Sequence, residues 1–434
     1  MATCDICGKD FARKAGLVAH QNRKTPCKAP VQLIQKALVE AGVPVEVEAE
    51  FREGSKAFHK SLTKEQRQEE GIFFTPKKVR DRLFQKLADL GIKPTQILEP
   101  SFGSGEFLLD ARRLYPEANL VGVEKNADLF KSVKCPGATL VQGDFLDWKG
   151  SANLILGNPP YFVLKDGKEV RKMYAEALTG RPNIFVLFLY KCLKEHLSEG
   201  GVLAFIVPTS LYNCSYYQPL RNYIHSCSAI RHLETLVTPG FYETSQETTL
   251  VILQKGVPSD DFVFRSSAGL VYFSPRAEDL KTWSKDTTTL ASLGLGCKTG
   301  SIVWNQWKED LVDEQGTLLV YSSNLINGSI VLGVRGEKKQ YIRDQTKPTL
   351  SGPLILIERG YGNAFRFNCV LTDLKNFYAE NHVNVIYPKT PEAVQHLARV
   401  YKSFQNETCR QFMETLIGNG SISSTDMETL MPIL

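Results

Sequence analysis

No stretch of this sequence stays apolar for the roughly 20 residues that a membrane-spanning helix needs. The longest apolar runs, Ile184 to Tyr190 and Val202 to Val207, fall far short, so no membrane partner is expected. The N-terminus has no apolar core behind its first basic residues, so no secretory leader is expected and the location should be intracellular, cytoplasmic and reducing. Charge of one sign is also scarce. The 434 residues carry a formal net charge of +5, a mildly basic balance that permits a nucleic-acid partner without demanding one. Cysteine spacing suited to a disulfide framework is missing. Of ten cysteines, Cys4, Cys7 and Cys27 crowd the first segment and the others are scattered, which points to metal binding. A chain of this length exceeds one ordinary core, and roughly two or three domains are expected.

The crowded segment reads Cys4-x2-Cys7-x3-Phe11-x5-Leu17-x2-His20-x6-Cys27. This is the spacing of a small ββα zinc finger with ligands Cys4, Cys7, His20 and Cys27, in which Phe11 and Leu17 supply the few apolar contacts so short a fold needs. The six residues between His20 and Cys27 slightly exceed the usual three to five, which makes Cys27 the least regular ligand. With His20 at the seventh helix position, the base-reading positions fall on Arg13, Gly16 and Ala19. Glycine and alanine offer no side-chain hydrogen bond, so the finger suits anchoring better than sequence reading.

Residues 30–70 read as a connector with an amphipathic pattern, an acidic patch and a charged entry helix. From Gly71 onward, short apolar strands alternate with helical segments: Ile97-Leu98, Leu120 to Val123, Leu140-Val141, Leu154 to Leu156, Val202 to Val207 and Thr249 to Leu253. Such alternation predicts an α/β fold with a doubly wound, Rossmann-like sheet. After Lys255 the alternation gives way to Gly-punctuated, strand-rich sequence, which marks a second large domain of mixed α+β character. The expected domains are a finger at 1–29, a connector at 30–70, a catalytic domain at 71–275 and a C-terminal domain at 276–434.

In a doubly wound sheet, ligands sit beyond the carboxyl ends of the strands. Glu99-Pro100-Ser101-Phe102-Gly103-Ser104-Gly105 occupies that place after the first strand. Glu124 ends the second strand about 20 residues later, where a carboxylate can accept ribose hydroxyls. Asp144 follows the third strand and could take a hydrogen bond from an adenine amino group, with Phe145 against the ring. A dinucleotide oxidoreductase could share these features, but the fourth strand ends in Asn158-Pro159-Pro160-Tyr161 and not in a catalytic His or Lys. Two prolines fix the backbone and remove two NH groups, leaving carbonyls free to act as acceptors.

At these residues the chain resembles S-adenosylmethionine-dependent DNA adenine-N6 methyltransferases of the gamma arrangement, whose cofactor motifs precede the catalytic motif and whose target-recognition domain is C-terminal. Gly71-Ile-Phe-Phe-Thr75-Pro76 resembles the family's opening motif, and Glu99 to Gly105 its glycine motif. Val121-Gly-Val-Glu124 and Gly143-Asp144-Phe145 resemble its ribose and adenine motifs. Asn183 stands where the family often has Asp. Gly240-Phe241 resembles the motif whose aromatic residue packs on the extruded base, although Tyr242 could fill that role instead. Segments at 298–305, 358–363 and 381–386 resemble recognition domains of bacterial and viral enzymes, and the fused finger resembles an addition found in large DNA viruses.

The resemblance implies S-adenosylmethionine held by Thr75, Pro76, Glu99, Pro100, Ser101, Gly103, Gly105, Glu124, Asp144, Phe145 and Asn158, with structural zinc in the finger. It implies double-stranded DNA as partner, and leaves open both a cognate restriction endonuclease and the oligomeric state. The target adenine would be flipped and stacked by Tyr161 and Phe241. The Asn158 side-chain carbonyl and the Pro159 backbone carbonyl, with Pro160 and Tyr161 completing the catalytic motif, would accept the two N6 hydrogens and expose the nitrogen lone pair for direct attack. A planar amine on RNA or a protein glutamine would suit the same acceptors, and a non-catalytic DNA-binding module is the rival from another class. Candidate DNA contacts are Arg335, Lys338, Lys339, Arg343, Arg359 and Arg366, interleaved with Tyr341, Tyr361 and Phe365; His382 reads as structural.

Overall fold

Consecutive apolar residues mark the central strands because a parallel sheet covered on both faces buries side chains of either parity. The computed structural model describes residues 2–3, 10–11, 62–63, 71, 73–164, 167–180, 183–236, 247–333, 339–343, 347–360, 368–417 and 422–434. In it, β1 (Gln96–Glu99), β2 (Asn119–Glu124), β3 (Ala138–Gln142), β4 (Ala152–Gly157), β5 (Leu197–Pro208), β6 (Ser228–Leu236) and β7 (Thr248–Lys255) form one seven-stranded sheet. The spatial order is β3-β2-β1-β4-β5-β7-β6. All strands run parallel except β7, which is antiparallel to both neighbours. The chain steps outward from β1 to β3 and then crosses back to β4, so the strand order reverses between β1 and β4. That reversal opens a crevice beyond the carboxyl ends.

The two faces of the sheet follow the two-residue period of a strand. Leu154, Leu156, Val202, Ile206, Leu250 and Ile252 pack under α1 (Lys77–Asp89) and α2 (Glu106–Leu114), against Val79, Leu83, Leu87, Leu108 and Ala111. Their neighbours in sequence, Ile155, Leu203, Phe205, Val207, Val251 and Leu253, face the opposite core. There lie α5 (Ile184–Lys191) and α6 (Gln218–Cys227). In chain order α3 (Ala127–Ser132) and α4 (Gly167–Met173) come between these two pairs of helices. Every residue of α5 is buried, and all but the terminal Lys191, which pairs with Glu195, are apolar or aromatic, as an interior layer requires. Six strands coincide with those the sequence announces. The seventh, β6, was not anticipated: it is an edge strand whose Arg231, His232 and Glu234 break the apolar run, with an irregular register between Ile230 and His232.

Beyond Lys255, a hairpin of β8 (Val263–Arg265) and β9 (Val271–Phe273) joins two cores. Val263, Val271 and Phe273 pack with the large sheet, whereas Phe264 and Tyr272 pack with a second apolar cluster. Arg221 is fully buried at this seam and donates to the carbonyls of Val271, Leu211 and Cys214 and to Gln218. Further on, β10 (Leu295–Thr299), β11 (Leu311–Val312), β12 (Thr317–Val320), β13 (Leu325–Ile326), β14 (Ser329–Ile330), β15 (Tyr341–Ile342), β16 (Leu354–Glu358), β17 (Cys369–Thr372), β18 (Phe377–Ala379) and β19 (Val383–Pro388) follow in chain order. They include two four-stranded sheets, β10-β19-β16-β17 and β11-β15-β12-β18. The second contains a parallel pair, β12 with β18. Helices Leu397–Phe404, Glu407–Ile417 and Ser424–Leu430 cover the first, giving the mixed α+β character expected of this region.

The chain divides into two compact units, residues 1–52 and 53–434. In the first, Ala2–Thr3 pairs antiparallel with Asp10–Phe11. The expected zinc ligands Cys4, Cys7, His20 and Cys27 lie outside the described residues. Among the described residues no group of three or more His, Cys, Asp or Glu could hold a metal ion. None of their helices is long and apolar enough to cross a membrane. Cys135, Cys192, Cys214, Cys227, Cys297, Cys369 and Cys409 are free thiols, as their scattered spacing predicts.

Candidate active site

The crevice between β1 and β4 is a cavity of about 470 Å³. Its floor is the loop between β1 and α2. Phe102 donates its backbone NH to the Val123 carbonyl, and Gly105 donates back to the Phe102 carbonyl at 2.7 Å, closing a tight turn. Gly103 and Gly105 both adopt left-handed backbone angles, φ 52° and 74°, where an ordinary side chain is strained. A Cβ on Gly105 would also meet Val133 at 2.5 Å. Gly105 shapes the loop from behind. Along with Pro76, which sits at the N-terminal cap of α1, it is not among the cavity-lining residues. Thr75, Glu99, Pro100, Ser101, Gly103, Glu124, Asp144, Phe145 and Asn158 are.

Three carboxylates at successive strand ends face the cavity. Glu99 is 1% exposed, and one of its oxygens, Oε2, is buried without a hydrogen-bond partner. Burial, and next the neighbouring Glu124, hold its carboxyl well above the usual range. Glu124 already accepts the Gly103 NH at 2.8 Å and the Asn126 NH at 2.7 Å, which ties the β1 and β2 ends together. Asp144 accepts the Leu146 NH at 2.9 Å and pairs with Lys125 at 2.9 Å. Phe145 is buried against Phe188, ring centroids 4.9 Å apart, and both line the cavity.

The tetrapeptide Asn158-Pro159-Pro160-Tyr161 leaves β4 directly into this crevice. Asn158 Nδ2 donates to the Phe73 carbonyl at 3.2 Å and to Thr75 Oγ1 at 3.1 Å. Its Oδ1 accepts from the Tyr161 hydroxyl, which also reaches the Ile206 carbonyl at 2.7 Å. Burial raises the Tyr161 phenol well above its ordinary value, so it stays a proton donor. The Tyr161 ring is half-buried and meets Phe185 edge-on, centroids 6.1 Å apart and planes at 84°. Asn158 and Pro160 line the cavity, whereas Pro159 and Tyr161 stand beside it. Phe241 and Tyr242 lie outside the described residues.

One charged lining residue, Arg80, was not anticipated. Arg80, 3% exposed, donates to Asp110 at 2.7 Å, to the Thr75 carbonyl at 2.6 Å and to Glu106. In sequence it looks like one more charge on a solvated helix, Lys77-Lys-Val-Arg80-Asp-Arg. The one available signal is helical spacing, since Arg80 follows Val79 and precedes Leu83 and Phe84 on the apolar stripe. Phe73, Phe162, Ile184 and Phe188 supply apolar wall. Asn183, where the family often has Asp, caps α5 by accepting the Phe185 NH at 3.3 Å and does not line the cavity.

Comparisons with known proteins place similar sequences among methyltransferases. Residues 109–241 match the model of the Eco57I restriction-modification methylase family. The type II methyltransferase M.CvrRI of Paramecium bursaria Chlorella virus XZ-6E is 30% identical over 386 residues, covering 86% of this chain and 96% of the relative. The modification methylase CviBIII of Paramecium bursaria Chlorella virus NC1A is 32% identical over 378 residues, covering 84% and 94%. The chain belongs to the type II restriction-modification methyltransferase family. A solved structure of a putative class I S-adenosylmethionine-dependent methyltransferase of Listeria monocytogenes is also similar, at 18% identity and TM-score 0.34 over 52% of this chain and 69% of that one.

Of the expected DNA contacts in this methyltransferase, Lys339 and Arg343 are exposed and Tyr341 is half-buried in β15. Arg359 is instead turned inward, donating to the carbonyls of Ile422 at 3.3 Å and Asn381 at 3.5 Å. The guanidinium is half-buried, and these two bonds tie part of it to backbone carbonyls. His382 bonds Glu380 at 2.6 Å and is structural, as expected. Arg335, Lys338, Tyr361, Phe365 and Arg366 lie outside the described residues.

Proposed function

We propose that the enzyme transfers a methyl group from S-adenosylmethionine to N6 of an adenine flipped out of double-stranded DNA. The observation that carries this reading is Asn158: its amide nitrogen is spent on Phe73 and Thr75, so its oxygen is the end left to accept a hydrogen from an incoming amine. A planar exocyclic amine is a poor nucleophile because its lone pair is delocalised. Acceptors on its hydrogens draw the nitrogen towards tetrahedral geometry and localise that pair, and being preorganised they need not reorient as charge develops.

The cavity fits the cofactor. Glu99 carries an unpartnered buried oxygen suited to an ammonium group, Glu124 has lone pairs for ribose hydroxyls, and Asp144 with Phe145 suits an adenine. Bound there, S-adenosylmethionine supplies an electrophilic methyl on a sulfonium. Asn158 Oδ1 and the Pro159 carbonyl hold the amine hydrogens, and Tyr161 and Phe241 stack the flipped base, offsetting an unstacking cost of a few kcal/mol. Phe73, Phe162 and Ile184 line the cavity with apolar surface.

Residues 71–275 form the catalytic domain in this reading, 276–434 a target-recognition domain and 1–29 a zinc-binding finger joined by a connector at 30–70. The strand pair Ala2–Thr3 with Asp10–Phe11 brackets Cys4 and Cys7 in sequence as a finger hairpin would. An intracellular setting beside a cognate restriction endonuclease fits the family. Incubation of the purified enzyme with S-adenosylmethionine carrying a labelled methyl, and with DNA, RNA or protein, tests the reading. Label recovered as N6-methyladenine in duplex DNA is expected. Label confined to RNA or to glutamine would reject it.

A further inference from the structure

We propose that Arg80 and the Phe73–Thr75 segment it holds are positioning elements that fix which end of the Asn158 amide faces the substrate amine. The inference rests on the methyl-transfer reading above and assigns a new role within that site.

An asparagine amide is ambiguous by shape. Its oxygen and nitrogen exchange places by a half-turn, and only neighbours decide between the two orientations. Here the neighbours decide. The Phe73 carbonyl is a backbone oxygen that can only accept, and it lies 3.2 Å from Nδ2. Thr75 Oγ1 takes the second amide hydrogen at 3.1 Å. A turned amide would set oxygen against the Phe73 carbonyl and present NH2 to the amine, so donor would meet donor and the lone pair would not be drawn out. On the oxygen side, the Tyr161 hydroxyl has one proton and two acceptors, Asn158 Oδ1 and the Ile206 carbonyl. When a substrate N–H arrives, that proton can turn fully onto Ile206, and Oδ1 keeps its lone pairs for the amine.

The Phe73–Thr75 segment needs its own anchor, since it is 83 to 85 residues away in sequence from the group it orients. Arg80 supplies it. The buried guanidinium grips the Thr75 carbonyl at 2.6 Å while Asp110 at 2.7 Å and Glu106 hold it from α2. Because α2 starts at the end of the glycine loop, the floor of the cavity and the orientation of Asn158 share one support. Arg80 therefore acts on the reaction through Thr75, and Thr75 through Asn158.

The test compares Thr75→Val, which keeps the shape and removes the acceptor, with Thr75→Ser, which keeps the acceptor. Both are read as single-turnover methyl transfer to long unmethylated DNA of mixed sequence and as the dissociation constant for S-adenosylmethionine. Thr75→Val should slow transfer about tenfold at saturating S-adenosylmethionine, the effect expected of one lost hydrogen bond, beyond any change in cofactor affinity. Thr75→Ser should restore the rate to within about threefold. Arg80→Lys, which keeps the buried charge but not the forked grip, should slow transfer likewise, beyond any change in cofactor affinity. A wild-type rate in Thr75→Val overturns the inference. So does a loss lying wholly in cofactor affinity, or a serine variant as slow as the valine. A wild-type enzyme inert on this DNA would reject the functional reading itself, and the inference with it. An active wild type with an unaffected valine variant rejects the inference alone.

Discussion

Asn158 and Thr75 stand 83 positions apart in sequence, yet Nδ2 of one lies 3.1 Å from Oγ1 of the other. The bond joins the end of β4 to the turn before α1, and both residues line the cavity. Removing the amide should therefore remove the acceptor without dismantling the pocket. Asn158→Ala should lower the single-turnover rate at least about a hundredfold, as loss of a preorganised polar partner does. Cofactor affinity, read by calorimetry, should stay within about threefold of wild type. A variant that keeps its rate would show that another group activates the amine.

Glu99 gives the binding step a pH dependence. Its folded carboxyl titrates well above the ordinary value of 4.5, because of burial first and Glu124 second. Between these two values the native free enzyme holds a proton that the unfolded chain has lost. This group's contribution to stability is thus fully present below 4.5 and is lost as pH rises through the raised value. Binding of a cationic ligand needs the carboxylate, so cofactor binding should release a proton and apparent affinity should rise with pH until Glu99 ionises. Calorimetry in buffers of different ionisation enthalpy measures that proton. Glu99→Gln should bind more weakly and flatten the profile, and a profile that keeps its slope in this variant would assign the proton elsewhere.

Arg221 should matter to stability and not to chemistry. It is fully buried between the sheet core and the C-terminal core, holds three backbone carbonyls and lies 5.4 Å from the Tyr272 ring centroid. Burial lowers its pKa to about 10. Arg221→Met leaves those carbonyls unpaired and should cost about 3 kcal/mol in urea unfolding. Cofactor affinity at low temperature should be unchanged. A loss below about 1 kcal/mol would mean that water or a neighbouring donor replaces the guanidinium.

The first segment predicts about one zinc per chain by elemental analysis of protein purified without chelator. Cys4→Ser together with Cys7→Ser should abolish it. Zinc retained in that double variant would place the metal at other residues.

Much of the fold was legible because parallel strands buried on both faces cannot hide their composition. Leu154-Ile-Leu156 and Val202 to Val207 are apolar at every position, and each supplies both cores. β6 escaped because an edge strand keeps a polar face, and Arg231, His232 and Glu234 read as loop. In the site, Glu99, Glu124, Asp144 and Asn158 could be placed because each follows a strand at the carboxyl edge of the sheet, where topology puts ligands. Arg80 could not, since burial of a charge depends on partners such as Asp110 and Glu106 that local sequence does not show to be close. The Arg359 contacts with the carbonyls of Ile422 and Asn381 were hidden for the same reason, since those partners lie 63 and 22 positions away in sequence.

The central claim is that Asn158 activates adenine N6 in duplex DNA, and sequencing of DNA methylated by the purified enzyme tests it most directly. The account predicts N6-methyladenine at one fixed position of a recurring recognition sequence, absent from DNA treated with the Asn158→Ala enzyme. Methylation found on cytosine, or N6-methyladenine still deposited by the variant, would contradict it.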